Sequence, residues 1–492
     1  MQAAHAAQLW MEPATSLARM VAAREISARE VCEAALDRMG AIDPAHHAFV
    51  TATPEIARAQ ADVVDRSLAS GDHPRPLAGV PYSVKDLIVT KNARTTFGSR
   101  LYRAFSSTKD DIVVERMAAS GGLMLGKTNT SEFGFTASGS NLLFPATHNP
   151  WNHALTPGGS SAGAAVAVAT GLAPVALGSD GGGSIRIPAS FCGVVGFKPS
   201  MGRVPLHPGS RDERTPGSSS FESVEHIGPI TRTVGDAALL LDVLAGPDPR
   251  DRHSRPREVR SWLGTVDAPL GPLRIASSPD LGYAAVDPVV RDIVAAAVAV
   301  FASELGCSVE LAHPKIEDPS PWLPALEALE TDRAGLRRLL QERGEPVSSA
   351  ATMMLETNWT ADQFSAALTS RMALCNGMAR FMASYDLLLT PTVAVLPFSA
   401  DLDDPLTIAG RSVRPGDWTP FTTIANLTGQ PAISVPAGWT EDDLPVGLQI
   451  IGRHLDDVTV LRAAAAFESA QPWAHRWPLG ALAGSPLAAG LR

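Results

Sequence analysis

Three short runs carry side chains able to do acyl-transfer chemistry. Ser160 stands in Thr156-Pro-Gly-Gly-Ser-Ser-Ala-Gly163, and Ser184 in Ser179-Asp-Gly-Gly-Gly-Ser-Ile-Arg-Ile-Pro188. Lys85 stands in Gly79-Val-Pro-Tyr-Ser-Val-Lys-Asp86. A serine hydroxyl is a weak nucleophile until a base takes its proton. A lysine can be that base only when neutral, and burial favours the neutral amine. Lys85 lies in the apolar run Val80–Val89, which suits burial. Gly181, Gly182 and Gly183 strip side chains from the backbone before Ser184. Their N–H groups can then converge on one point, as an oxyanion hole requires.

These runs closely resemble the amidase signature family. The resemblance rests first on GGSSAG at 158–163 and SDGGGSIRIPA at 179–189. It continues through GVPYSVKD at 79–86, GKTNTSEF at 126–133, HNPW at 148–151, GFKPS at 196–200 and GPITRTVGD at 228–236. LLTPT at 388–392, GQPAISVPAG at 429–438 and GLQIIG at 447–452 complete it, in the family's order. The resemblance implies an α/β amidase signature fold, with a central mixed β-sheet covered by helices on both faces. It implies that Ser184 is the acylated nucleophile and that Ser160, following a cis peptide bond, relays the proton. Lys85 would be the general base acting on Ser160. The N–H groups of Gly181, Gly182, Gly183 and Ser184 would form the oxyanion hole, supported by Asp180, Arg186 and Ser161. No cofactor and no metal are implied. Two positions depart from the family pattern. Gly181 replaces a usually larger residue, which loosens that stretch, and Ala162 replaces the commoner glycine.

Two other motifs match by spacing alone. Gly121-Gly-Leu-Met-Leu-Gly-Lys-Thr128 fits GxxxxGK[ST], but a phosphate loop should follow a strand and leave its middle residues free as a cradle. Here Leu123–Leu125 reads as the strand itself. Gly159-Ser-Ser-Ala-Gly163 fits GxSxG, yet that elbow needs an apolar strand before its serine and a downstream acid and histidine. Pro157-Gly-Gly precedes it, and His207, His226 and His454 have no distinguishing context.

The elements that must position these runs follow from periodicity. Helical spacing of apolar residues predicts two short helices between Thr15 and Gly40, the second capped by Ser27 with Glu30 three residues on. Further helices are expected after Pro54, over Asp111–Ser120, Val290–Leu305 and Val458–Gln471, and through most of 320–384. Strands are expected at Leu123–Leu125, Leu273–Ala276, Ser308–Leu311, Asp386–Thr390 and Ala432–Pro436. Such alternation argues an α/β fold. The chain reads as one domain over 1–492: N-terminal helices at 1–70, the motif-bearing core at 71–245, a variable helical part at 246–384, and a return to the sheet at 385–492. The polar segment Pro205–Glu225 reads as a long loop close to the motif. It could form a lid, with Arg211 and Phe221 facing the substrate.

Composition narrows the function. The formal charge is −10 with no basic cluster, which argues against nucleic-acid and anionic-membrane partners. Cys32, Cys192, Cys307 and Cys375 are widely spaced and read as reduced thiols. No apolar stretch reaches the ~20 residues of a spanning helix, and no secretory leader is apparent, so a cytoplasmic location is expected. The expected partner is a small amide or carbamate (urethane), with the chain a monomer or homodimer. The resemblance favours an amidase for hydrophobic or aryl amides. The glutaminase component of a tRNA amidotransferase and a catalytically silent binding protein on the same fold are the alternatives.

Overall fold

Neighbouring residues along the central strands enter different hydrophobic clusters. Val175 and Leu177 join one cluster and Ala176 another; Leu387 and Leu389 separate from Leu388 in the same way, as do Ile433 and Val435 from Ala432. Successive strand side chains point to opposite faces. A sheet whose central strands bury apolar side chains on both faces therefore needs cover on both sides. The computed structural model describes residues 9–208, 215–217 and 222–478. In it, helices supply that cover. On one face pack residues of Ala14–Ala22, Ala28–His46, Pro54–Ala69, Ile112–Ala119, Val234–Leu244, Pro288–Ser303 and Asp457–Ala470. The other is covered by Ala162–Ala169, Arg186–Cys192, Leu323–Glu330, Ala361–Met382 and Pro420–Thr428.

The strands in chain order are β1 (Phe49–Ala52), β2 (Pro81–Lys85), β3 (Leu123–Thr128), β4 (Val175–Asp180), β5 (Val195–Lys198), β6 (His226–Thr231), β7 (Arg274–Ser277), β8 (Ser308–Leu311) and β9 (Leu387–Pro391). A two-residue pair follows, β10 (Thr407–Ile408) and β11 (Arg411–Ser412), then β12 (Ala432–Trp439) and β13 (Pro445–Gly452). Eleven of them form one sheet, in the order β1-β3-β2-β4-β6-β5-β12-β13-β9-β7-β8. The pairings β2–β3, β2–β4, β7–β8 and β7–β9 are parallel; the rest of the sheet is antiparallel. The mixed sheet expected from the sequence is present, and the expected unit around β7 and β8 is its parallel edge.

Differences from the sequence reading have local causes. The second N-terminal helix does not stop at Gly40 but runs on to His46. His47 then adopts a left-handed conformation, and the Asp43 carboxylate accepts the N–H groups of Ala48 and Phe49, so the cap lies beyond the glycine. The Ser27–Glu30 capping box forms as expected. Strands β2, β4, β5 and β6 carry Gly, Pro or Ser within them, which breaks the apolar pattern, and β1 has only four residues.

The Gly- and Ala-rich run has a packing explanation. Every residue of the helix Ala162–Ala169 is buried, so it has no polar face to betray it. It also lies close to other backbone. A Cβ on Gly163 would come within 2.2 Å of the Ala48 carbonyl oxygen and 2.5 Å of the Asn129 nitrogen. Both atoms are main chain, fixed by the Asn129 N–H bond to Ala48 O at 2.8 Å, and cannot rotate away. Gly163→Ala should therefore destabilise the protein by about 1–3 kcal/mol through overpacking. Urea denaturation would check this, and an unchanged midpoint would contradict the packing account.

Candidate active site

Lys85 is the last residue of β2 and Ser179 lies near the end of the adjacent parallel strand β4. Crevices at the carboxyl ends of parallel strands are where α/β sheets bind ligands. The Lys85 Nζ is fully buried and lies 2.7 Å from Ser160 Oγ, 3.0 Å from Ser179 Oγ and 3.1 Å from the Ser179 carbonyl oxygen. Three oxygens thus surround the amine; once it is neutral, two N–H groups serve the oxygens of Ser179 and the lone pair is left for the Ser160 hydroxyl. Burial drives the Lys85 pKa down to about 7, against a weaker upward pull from Glu225 and Asp180.

Ser160 follows a cis Gly159–Ser160 bond, the geometry expected from the sequence. Ser161 ties the two serine runs together. Its N–H donates to the Ser184 carbonyl at 3.1 Å, and its hydroxyl donates to Ser179 O at 3.1 Å and accepts the Ser179 N–H at 3.3 Å. Ser160, Ser179, Gly181, Gly182 and Ser184 all border one cavity of about 290 Å³.

Asp180 and Arg186 are entirely buried and make a two-point ion pair, with Nε and one terminal nitrogen each 2.9 Å from a carboxylate oxygen. The remaining guanidinium donors reach Thr422 O (2.9 Å), Gln449 Oε1 (2.6 Å) and Asn426 Oδ1 (2.6 Å). All five N–H groups of the fork are thus used. Burial alone would raise the Asp180 carboxyl, but the Arg186 guanidinium beside it holds it well below the usual carboxylate range. The ionised carboxylate also accepts the Gly183 N–H at 2.6 Å and the Ile185 N–H at 3.2 Å, which shapes the turn carrying Ser184.

This bond corrects one expectation. The Gly183 N–H does not face the cavity, because it is held by the carboxylate beneath the turn. The carbonyl of the same peptide, Gly182 O, accepts from Thr422 Oγ1 at 2.8 Å, so both ends of that unit are fixed. The N–H groups of Gly181, Gly182 and Ser184 have no partner among the described residues and are the donors left for an oxyanion. Gly183 is required for a different reason. Its φ is +129°, and a Cβ would lie 2.4 Å from Thr422 Oγ1.

The residues of the two spacing-only motifs have structural roles. Lys127 belongs to β3, is fully buried, and meets Asp86 at 3.3 Å, Ile88 O at 2.7 Å and Thr95 Oγ1 at 2.7 Å. It has no phosphate cradle. Ser161 is preceded by a cis bond rather than a strand, and His226 sits inside β6 with Nδ1 2.7 Å from Val224 O. Arg211 and Phe221, expected in a lid, lie outside the described residues. Within the same segment, Pro216 O accepts from Tyr102 Oη at 2.6 Å and Glu225 borders the cavity. No helix among the described residues is long and apolar enough to cross a membrane.

The sequence reading missed Ser179, Thr422, Asn426, Gln449 and Glu327. Ser179 and Gln449 stand inside recognised runs but carried no assigned role. Asn426 and Thr422 lie in the helix Pro420–Thr428, where nothing local marks them as partners of a residue more than two hundred positions earlier.

A buried amine against a serine, beside a glycine turn with free N–H groups, defines an enzyme that hydrolyses amides, and comparison with known proteins agrees. The Amidase family model matches residues 30–461. An acylamidase of Rhodococcus erythropolis is 39% identical over 482 residues, covering 96% of this chain and 98% of that protein. The A component of the glutamyl-tRNA(Gln) amidotransferase of Carboxydothermus hydrogenoformans is 36% identical over 490 residues, covering 94% and 97%. The crystal structure of a bacterial aryl acylamidase superposes with a TM-score of 0.88 at 32% identity, covering 96% of this chain and 99% of the other. The chain belongs to the amidase signature family.

Removing Arg186 would leave Asp180 charged, buried and unpaired, and breaking such a pair costs roughly 3–5 kcal/mol. Arg186→Ala should lower stability by about that amount in chemical denaturation. A loss within the range of a surface substitution would show that the network is not holding the turn.

Proposed function

We propose that this protein is a serine amidohydrolase of hydrophobic or aryl amides, working through an acyl-enzyme, with carbamates as a second substrate class. The observation that carries this reading is the buried Lys85 amine at 2.7 Å from Ser160 Oγ, with Ser184 on the same cavity. Neutral Lys85 takes the Ser160 hydroxyl proton while Ser160 takes the proton of Ser184. The Ser184 oxygen attacks the carbonyl carbon, and the N–H groups of Gly181, Gly182 and Ser184 receive the negative oxygen. The proton returns through Ser160 to the leaving nitrogen as the C–N bond breaks. Water then attacks the ester by the same relay and frees Ser184.

The cavity wall supports the apolar side of this reading. Leu87, Phe135, Ile187, Leu323, Met353 and Trp418 border it. A glutaminase role fits less well. Glutamine presents an α-carboxylate, and no Lys, Arg or His is among the described residues bordering the cavity. A screen of p-nitroanilides, anilides, aryl carbamates and glutamine tests the proposal. Release of ammonia from glutamine with no aryl-amide turnover would replace it with the glutaminase reading.

Ser184→Ala should abolish the covalent adduct with a fluorophosphonate and cost on the order of 10⁴-fold or more in turnover. Intact-mass mapping of the adduct to Ser160 or Ser161 would contradict the assignment. The Lys85 amine acts only when deprotonated, so kcat/KM should rise with pH as it loses its proton. Its depressed value puts the midpoint near about 7 rather than near the ~10.4 of a free lysine. Lys85→Ala should remove that limb; a mutant keeping the parental profile would show that another group is titrating.

A further inference from the structure

Among the described residues, the charged side chains bordering the cavity that holds Ser184 are all acidic. Glu225, Glu327, Asp403 and Asp404 border it, and no cationic side chain does so among the described residues. The two aspartates have partners in the wall. Asp403 accepts from Ser138 Oγ at 2.8 Å, and Asp404 from Gly416 N at 2.9 Å and Trp418 Nε1 at 2.8 Å. Glu327 is different. It is partly buried on the helix Leu323–Glu330, among apolar neighbours such as Leu323 and Pro324. Its carboxyl has no hydrogen bond or ion pair among the described residues. Glu330, one turn on, binds Ser223 N at 3.0 Å. Arg371 meets the same serine and is committed there, donating to Ser223 O at 2.8 Å, Ser223 Oγ at 2.5 Å and Leu427 O at 3.1 Å.

An unpaired carboxyl in an apolar wall is costly unless something brings it a partner. Burial, and to a lesser degree Glu330, pushes the Glu327 carboxyl up to about 7. The wall has apolar side chains to receive a hydrocarbon stretch. A carboxylate on the substrate would meet repulsion from an ionised Glu327, whereas an ammonium would meet attraction from it.

We propose that Glu327 selects amide substrates that carry a protonated amino group on an apolar spacer, pairing with that ammonium in the cavity that Ser184 also borders. This rests on the amidase reading above and specifies its substrate class. Glu327 is a specificity residue here: it touches the bound substrate and takes no part in the proton relay. The expected signature is therefore in KM more than in kcat.

The test uses the full chain and two sets of matched p-nitroanilide or amide substrates, with the charge on the acyl side in one and on the amine side in the other. Each set has an ammonium, a methyl and a carboxylate terminus on the same spacer, for example 5-aminopentanoyl, hexanoyl and 5-carboxypentanoyl. In at least one set the ammonium member should exceed its methyl isostere by about ten-fold or more in kcat/KM, with the carboxylate member poorest. Glu327→Gln should bring the ammonium-to-methyl ratio to within about two-fold of unity, and Glu327→Asp should restore part of it. A separate measurement is independent of turnover. In the parent protein n-pentylamine should slow fluorophosphonate labelling of Ser184 at lower concentration than pentanol or pentanoate does, and Glu327→Gln should erase the difference. Turnover of the neutral anilides with no ammonium preference in either set, or a preference unchanged in Glu327→Gln, would overturn the inference and leave the amidase reading standing. Amine-selective protection without turnover of any anilide or amide would overturn that reading and, with it, the substrate class inferred here.

Discussion

The burial of the Lys85 amine is the constraint on which the site turns. An ammonium taken out of water needs a counter-charge at contact distance. Here the near neighbours are the hydroxyl of Ser160 and the two oxygens of Ser179, all uncharged. The amine answers by giving up its proton near neutrality, which is the state a base needs. That arrangement demands a strand end sealed on all sides. It is achieved by setting β2 between β3 and β4, all three parallel and buried along their length.

A second buried charge is handled in the opposite way. Asp180 stays ionised because Arg186 meets it with both arms, and because Gly183, Ile185 and Asn426 fill its remaining acceptor positions. The network reaches from β4 to the helix Pro420–Thr428 and to β13, so the turn bearing Ser184 is braced by chain from the far end of the sequence. One carboxylate thereby orients the Gly183 N–H inward. The N–H groups of Gly181, Gly182 and Ser184, which border the cavity, have no partner among the described residues. Neutralising one buried group and pairing the other are two solutions to the same desolvation problem, set at the ends of the neighbouring strands β2 and β4.

Part of the cavity wall comes from a more distant stretch of the chain. Leu323, Glu327 and Met353 come from the helical segment between β8 and β9. The relay comes from the end of β2, the run before β4 and the turn after it. The cavity thus joins the stretch that carries the relay to a helical segment more than a hundred residues further on. This separation fits a family in which relatives of similar identity to this chain are an acylamidase and a component of a tRNA amidotransferase.

What the sequence determined by itself was the chemistry and the class of fold. Lys85, Ser160 and Ser184 stand in runs whose residue types are dictated by backbone approach and by the reaction, and such requirements leave a local imprint. The amphipathic outer helices were legible for the same reason: Ser27 and Glu30 cap one of them, and periodicity marks the rest. Tertiary structure decided what local sequence cannot encode. The helix Ala162–Ala169 has no polar face because it is buried all round, so it showed no amphipathic period. Strands β1 and β5 have only four residues, and β6 is interrupted by Gly228 and Pro229, so none shows a clear alternation; each is fixed by the neighbours that pair with it. Gly183 looked like its sister glycines until the Asp180 carboxylate was placed beneath it. Asn426, Gln449 and Glu327 acquire meaning only when distant chain is brought within hydrogen-bond reach of the site or onto the rim of its cavity. A side chain's role there depends on the dielectric and the partners around it, and these are properties of the folded chain.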